Sequence, residues 1–212
     1  MEYNRKNVPE AVVRRLPRYH RYLGECLKSG ITRISSQELS ERMQVTASQI
    51  RQDLNCFAQF GQQGYGYNVE NLYHEINRIL NLTAIQRIII IGAGHLGCAL
   101  ANYPNMKTRG FEVEAMFDID PEKIGTTVAG VPVCDIAALG DWMSTNGADI
   151  AVLCIPKETV ADVAQHLVDL GIRGLWNFSY ADLKVTPAVP IQNMHLIDNL
   201  MMLSYGMKEA EL

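Results

Sequence analysis

The sequence predicts an α/β chain in two parts: a small helical domain closed by a hairpin, then a doubly wound parallel sheet with helices on its faces. Three observations carry this reading. Two S/T-x-x-E/Q signatures, at Ser35 and Thr46, each open a short helix. The hydroxyl accepts a free N–H of the first turn, and the acid or amide three residues on reaches back. From Arg87 onward, β-branched runs alternate with helical stretches, the pattern of parallel strands covered on both faces. Between the first such run and its helix stands a turn with three glycines in six residues, 92–97.

Residues 9–28 carry Val12, Val13, Leu16, Tyr19, Leu23 and Leu27 at helical spacing. Pro9 suits a first turn, whereas Pro17 predicts a kink or a break. The helix opened by Ser35 runs to about Met43, and the one opened by Thr46 to about Phe60, with Gln44 and Val45 between them. Two short capped helices joined so closely have the layout of a helix-turn-helix. Residues 61–67 mix three glycines with tyrosines and predict a tight hairpin, hence a wing. Residues 69–80 are helical again, and 82–86 form the boundary. Strands follow at 88–91, 113–117, 131–134, 150–155 and 175–178, with helices at 95–103, 135–145 and 159–170. This is a Rossmann-type succession. In residues 195–207, Leu196, Leu200 and Leu203 fall at helical spacing, and Ile197, Met201 and Met202 widen the apolar surface. Such a helix has to be covered. The division is therefore 1–81, 82–194 and 195–212.

Composition narrows the classes. Hydrophobic residues make up 48% of 212, which argues against disorder. No apolar run reaches the ~20 residues that span a membrane, and the N-terminus lacks an apolar signal region, so a cytoplasmic protein is expected. Five widely spaced cysteines without a C-x-x-C fit buried thiols in a reducing compartment better than disulfides or a metal. Residues 1–80 hold 11 Lys and Arg against 8 Asp and Glu (+3), and residues 81–212 hold 8 against 15 (−7). A basic front and an acidic back suggest that only the front meets a polyanion.

The sharpest motif is Gly92-Ala93-Gly94-His95-Leu96-Gly97, a G-x-G-x-x-G between strand and helix. Gly92 permits the tight turn, Gly94 lets a pyrophosphate approach the backbone, and Gly97 lets helix pack on sheet. Asp118 ends the next strand, 26 residues after Gly92. There it can accept from ribose hydroxyls and repel a 2′-phosphate, which favours NADH and NAD+ over their phosphorylated forms. Ile155 and Pro156 end a later strand at the edge where ligands bind; Pro156 equally well opens the next helix.

In the helix-turn-helix, the start of the second helix is the part that enters a major groove. Ser48, Gln49, Arg51 and Gln52 are its candidates, with Ser35, Ser36 and Thr46 at the helix starts and Gln63, Gly64 and Tyr65 in the wing. Gln pairs with adenine, and Arg with guanine or phosphate. Ile50, Leu54 and Phe57 form the inward face. A charged surface helix with no nucleic-acid role stays open as the plainer alternative.

Taken together, VPEAVVRRLPRYHRYL, RISSQELSERMQV, QIRQDLNCFAQFG, GYGYNV, GAGHLG, FDIDPEKIG and GIRGLWNF resemble the Rex family of NADH-responsive repressors over nearly the whole chain. The resemblance implies a homodimer with winged helix-turn-helix N-termini, Rossmann cores and an exchanged C-terminal helix. It implies binding of palindromic operator DNA when NAD+ predominates and release when NADH binds. Gly92, Ala93, Gly94, His95, Leu96, Gly97 and Asp118 then stand at dinucleotide contacts. Tyr103 resembles the nicotinamide-side switch tyrosine, and Arg21 the first-helix arginine that exchanges partners between states. The family's acidic partner falls in the simplest register at His195; Asp198 is the nearest carboxylate. Gln62 and Gln63 stand where the family usually has a basic wing residue.

Two other classes compete. An NAD-dependent dehydrogenase needs a substrate domain and a proton-transfer residue, yet only 34 residues follow Phe178. A CoA-binding subunit leaves the front third unexplained. No metal site is expected.

Overall fold

The computed structural model describes residues 8–56, 61–62, 66–104 and 106–209. The chain divides into two compact units, Met1–Ala84 and Ile85–Leu212. In the first, residues 9–28 form two helices, α1 (Glu10–Val13) and α2 (Leu16–Lys28), the break rather than the kink of the two outcomes expected near Pro17. Pro17 lies in the first turn of α2, where its missing N–H costs nothing; inside a helix it would break the ladder. Strand β1 (Arg33–Ile34) follows, then α3 (Ser36–Met43) and α4 (Ala47–Asn55). The capping box of Ser35 and Glu38 is fully formed, and Gln44 closes α3 in the left-handed region at φ 51°. Helix α4 ends at Asn55, short of the expected Phe60; residues 57–60, with the inward Phe57, lie outside the described residues.

The wing hairpin forms from β2 (Gly61–Gln62) and β3 (Gly66–Asn68), and β1 joins it in the order β1-β3-β2. Two residues of β1 are too few to show a period, so the sequence did not reveal it. A Cβ on Gly66 would stand 2.8 Å from the Ile34 carbonyl oxygen, and its φ is +69°. Only glycine serves there. Helix α5 (Val69–Ile79), capped by Asn68, completes the unit. Leu16, Tyr19, Leu23, Leu39, Met43, Ile50, Leu54 and Leu72 are its buried centre.

The second unit runs β4 (Gln86–Ile91), α6 (His95–Ala101), β5 (Phe111–Asp118), β6 (Thr127–Val128), β7 (Val131–Asp135), α7 (Leu139–Asn146), β8 (Ile150–Leu153), α8 (Val160–Asp169), β9 (Gly174–Asn177), β10 (Ile191–Asn193) and α9 (Leu196–Glu209). The sheet order is β10-β9-β8-β4-β5-β7-β6, parallel except for the β6–β7 hairpin. Along β4, Ile89 and Ile91 enter one core and Ile88 and Ile90 the other. That is why an unbroken isoleucine run marks a doubly covered strand. The chain leaves β4 for β5 on one side and returns to β8 on the other. The switch point therefore opens at the carboxyl end of β4, where open α/β sheets bind ligands. Two short strands, β6 and β10, and the early end of β8 at Leu153 depart from the expected boundaries. Helix α9 has no buried residue among positions 196–207.

Candidate functional site

The turn after β4 has the three distinct glycine environments that its spacing predicts. Gly92 has φ +99°, and a Cβ there would lie 2.6 Å from the Cys154 carbonyl oxygen and 3.1 Å from Ile155 Cγ2. A Cβ on Gly97 would lie 2.0 Å from the Gly92 carbonyl oxygen, so α6 can approach the turn only without a side chain. A Cβ on Gly94, the N-cap of α6, would meet nothing within 4 Å among the described residues. Its open face, with the free N–H groups of the helix start, is the cradle an anionic group needs. His95 is exposed beside it. Ile155 is drawn to Gly92, whereas Pro156 is exposed and accepts from Thr159 in the turn before α8.

Asp118 closes the other side of the cradle. Its Oδ2 accepts from Ala93 N at 2.7 Å, and its Oδ1 from Ile119 N at 2.8 Å and Asp120 N at 2.9 Å. Lys123 Nζ lies 3.5 Å from Asp118 and 3.1 Å from Asp120. Burial works against its charge, but these backbone donors and Lys123 outweigh it and hold Asp118 below the ordinary carboxylate range. A carboxylate has about four acceptor sites. Three are filled by backbone N–H groups; the fourth holds only the long Lys123 contact and is the one a ribose hydroxyl can take. Two carboxylates against one ammonium leave the rim anionic, which disfavours a further phosphate. Sequence reasoning missed Ile119, 80% exposed beside Asp118, an apolar wall suited to a planar ring. Its exposure is a matter of packing and has no signature in the sequence.

In the first unit, Thr46 Oγ1 accepts from Gln49 N, so α4 starts where expected. Ser48, Arg51 and Gln52 are exposed, and Ile50 and Leu54 are buried. Arg51 Nη1 donates to Ser36 Oγ at 3.0 Å, which brings two candidates from different helices into one polar spot. Ser35 is engaged in its cap. Gln49 is half-buried and its amide is held by Asp53 at 2.8 Å. Gln63, Gly64 and Tyr65 lie outside the described residues. Among the described residues, no group of three or more His, Cys, Asp or Glu can hold a metal ion, and no helix is long and apolar enough to cross a membrane.

Known proteins match both units. Residues 7–55 match a family model described as putative DNA-binding protein N-terminus, and residues 83–181 one described as CoA binding domain. The redox-sensing transcriptional repressor Rex of Thermoanaerobacter sp. (strain X514) is 53% identical over 205 residues, 97% of this chain and 92% of that protein. Its counterpart in Clostridium botulinum (strain Hall) is 50% identical over 207 residues, 98% and 99% of the two chains. The chain belongs to the Rex family of redox-sensing transcriptional repressors. Among solved structures, the Rex-family repressor RSP superposes with a TM-score of 0.88 at 49% identity, covering 98% of this chain and 97% of that one. RSP in complex with beta-NAD+ and operator DNA gives 0.90 at 51%, covering 98% and 95%. The CoA-binding alternative shares only the model for the second unit, and the full-length relatives are repressors rather than dehydrogenases.

Of the remaining Rex-type positions, Arg21 falls in the first unit and Tyr103, His195 and Asp198 in the second. Arg21 is exposed, its guanidinium 5.1 Å from the Tyr22 ring centroid. Tyr103 is 62% exposed and stands just beyond the end of α6, which closes at Ala101. His195 stacks on Tyr180 with ring centroids 5.8 Å apart, and its buried Nδ1 has no hydrogen-bond partner among the described residues. Asp198, on the first turn of α9, is exposed.

Proposed function

We propose that this chain is a cytoplasmic repressor that holds NAD(H) in the cradle of residues 92–97, binds palindromic operator DNA as a homodimer when NAD+ predominates, and releases it when NADH binds. The observation that carries this is the open face of Gly94 beside an ionised Asp118, at the switch point of a sheet joined to a capped helix-turn-helix. The related repressor RSP is known in complex with beta-NAD+ and operator DNA, and separately in complex with beta-NADH, the two states such a switch needs. Gly92, Ala93, Gly94, His95, Leu96 and Gly97 surround the pyrophosphate, Asp118 takes a ribose hydroxyl, Ile119 flanks the adenine, and Ile155 and Pro156 border the pocket. Ser48, Gln49 and Gln52 face base edges. Arg51, with Ser36 and the caps Ser35 and Thr46, lies along a phosphate strand, and the wing candidates Gln63, Gly64 and Tyr65, outside the described residues, are assigned to the DNA backbone or the minor groove.

Residues 1–81 form the DNA-binding domain, 82–194 the dinucleotide domain and 195–212 an exchanged helix. Leu196, Leu200, Met201, Met202 and Leu203 of α9 are 52–69% exposed. Burial is worth about 1.5–3 kcal/mol for each large apolar side chain taken fully from water, so covering this helix with a second copy stabilises a dimer. Tyr103 then stands on the nicotinamide side of the pocket beside the partner's exchanged helix, and Arg21 and Asp198 form the ion pair of the DNA-bound state. Asp198 suits this role better than His195, whose ring is engaged with Tyr180. The test is anisotropy of a labelled palindromic duplex under NADH and NAD+ titration. NADH should lower affinity at least tenfold and NAD+ should not; indifference to NADH overturns the reading. Removal of residues 195–212 should yield monomers by sedimentation, and a truncated chain that stays dimeric refutes the exchange.

A further inference from the structure

Asp53 stands one turn after Gln49 on α4, with its side chain fully buried. Each carboxylate oxygen accepts twice. Oδ2 takes Arg15 Nε at 2.7 Å and Tyr19 Oη at 3.0 Å; Oδ1 takes Arg15 Nη2 at 2.7 Å and Gln49 Nε2 at 2.8 Å. Four acceptor sites meet four donors. Arg15 is the N-cap of α2, where a cation opposes the helix dipole, and Asp53 offsets that cost. Burial and the neighbouring carboxylate push the Tyr19 phenol up, so it stays a donor.

Stability does not account for this arrangement. A buried ion pair adds little over an apolar pair of the same volume, because desolvation offsets the attraction. What the cluster supplies is direction. A carboxylate only accepts, so the Gln49 amide cannot flip: its NH2 faces Asp53 and its Oε1 points away. An unrestrained amide presents its donor and acceptor in either order. Among the described residues the other N–H and Oε1 take no hydrogen bond and stand in a fixed order, and such a pair matches N7 and the N6 amino group of adenine in the major groove.

We propose that Asp53 is the positioning residue for base reading: it fixes the Gln49 amide in the orientation that reads adenine and ties that reader to α2 through Arg15 and Tyr19. This rests on α4 being the recognition helix.

Inverted-repeat duplexes randomised in both half-sites are selected with the full-length protein without NADH. The wild type should enrich an adenine at one position per half-site, with roughly tenfold discrimination, and Gln49→Ala should lose it. In Asp53→Asn the new amide donates to Gln49 Oε1 and reverses the side chain. That variant should lose the same adenine while the salt dependence of binding stays unchanged, and in the Gln49→Ala background it should change nothing further. Asp53→Asn that keeps the adenine, or that weakens binding to every sequence alike in both backgrounds, overturns the proposal. Failure of the wild type to enrich any sequence instead sinks the recognition-helix reading, and the proposal with it. Side-chain amide ¹⁵N relaxation of Gln49 in DNA-free protein needs no Asp53 variant and decides the matter even where Asp53→Asn does not fold. An order parameter above about 0.6 supports a fixed amide, and one below it overturns the proposal.

Discussion

Asp53 and Asp118 are both carboxylates kept ionised away from bulk water, one in each unit, and they are kept so by different parts of the chain. Asp53 is held by side chains, two of them from residues 34 and 38 positions away. Burial opposes its charge, and Arg15, Gln49 and Tyr19 overcome that opposition. Asp118 is held by backbone N–H groups, two from the next two residues and one from the glycine turn. The difference separates two uses of a buried acid. A carboxylate ringed by side chains connects helices and depends on every partner. One ringed by backbone belongs to the local turn, survives substitution around it and keeps a free site for a ligand.

The strongest way to break the comparison is Asp53→Ala. It leaves Arg15 and Tyr19 without their acceptor, and breaking such a pair costs about 3 kcal/mol. Chemical denaturation should show the first unit unfolding earlier, while NADH binding to the second is retained. Loss of NADH binding as well would show that the two carboxylates are not independent. Asp118→Ala is expected to weaken NADH binding by roughly one to two orders of magnitude, as the proposed ribose contact and the acceptor for Ala93 N are both lost, and to improve NADPH binding relative to NADH. Calorimetric titration with both nucleotides checks this; a wild type with equal affinity for NADH and NADPH contradicts the assignment.

Arg51→Ala sharpens the same contrast from the DNA side. Duplex affinity should fall strongly and the salt slope should drop by about one unit, with NADH binding unchanged. An unaltered slope would show that Arg51 meets no phosphate. The smallest effect is the acid response. The folded pKa values of Asp118 and Asp120 lie below their ordinary values. Their contribution to stability is therefore fully present above the unfolded value, about 3.9, and is lost as pH falls through the folded values. Urea midpoints should be flat from pH 8 to about 5 and fall below about 4, and Asp118→Asn should fall less steeply. A wild type and variant with parallel acid limbs would mean that Asp118 carries no part of the loss.

Much of the candidate site was legible because its chemistry is local. Ser35 with Glu38, and Thr46 with the Gln49 N–H, form their caps from neighbours, and the glycines at 92, 94 and 97 announce a turn by spacing alone. Pro17 signalled a break whose position between α1 and α2 follows from one missing N–H. Strands β1, β6 and β10 left no signature, since two or three residues show no period and their partners lie elsewhere in the chain. The engagement of Gln49 by Asp53 was equally hidden, although the two are only four residues apart. An i,i+4 pair on a helix is common, and only the arrival of Arg15 and Tyr19 makes Asp53 a buried hub.

The sequence by itself determined the longer helices and strands of the two units, the two helix starts and the glycine turn after β4. Each is set by interactions within a few residues: a hydroxyl on a free N–H, a glycine in a conformation closed to others, a β-branched run buried on both faces. Tertiary structure alone decided that Gly92 must lie against Cys154, that Ile119 stands exposed beside Asp118, and that α9 is left uncovered by its own chain. Those outcomes depend on which distant segments share a core, and burial is a property of the assembled surfaces rather than of any residue's own neighbours in the chain.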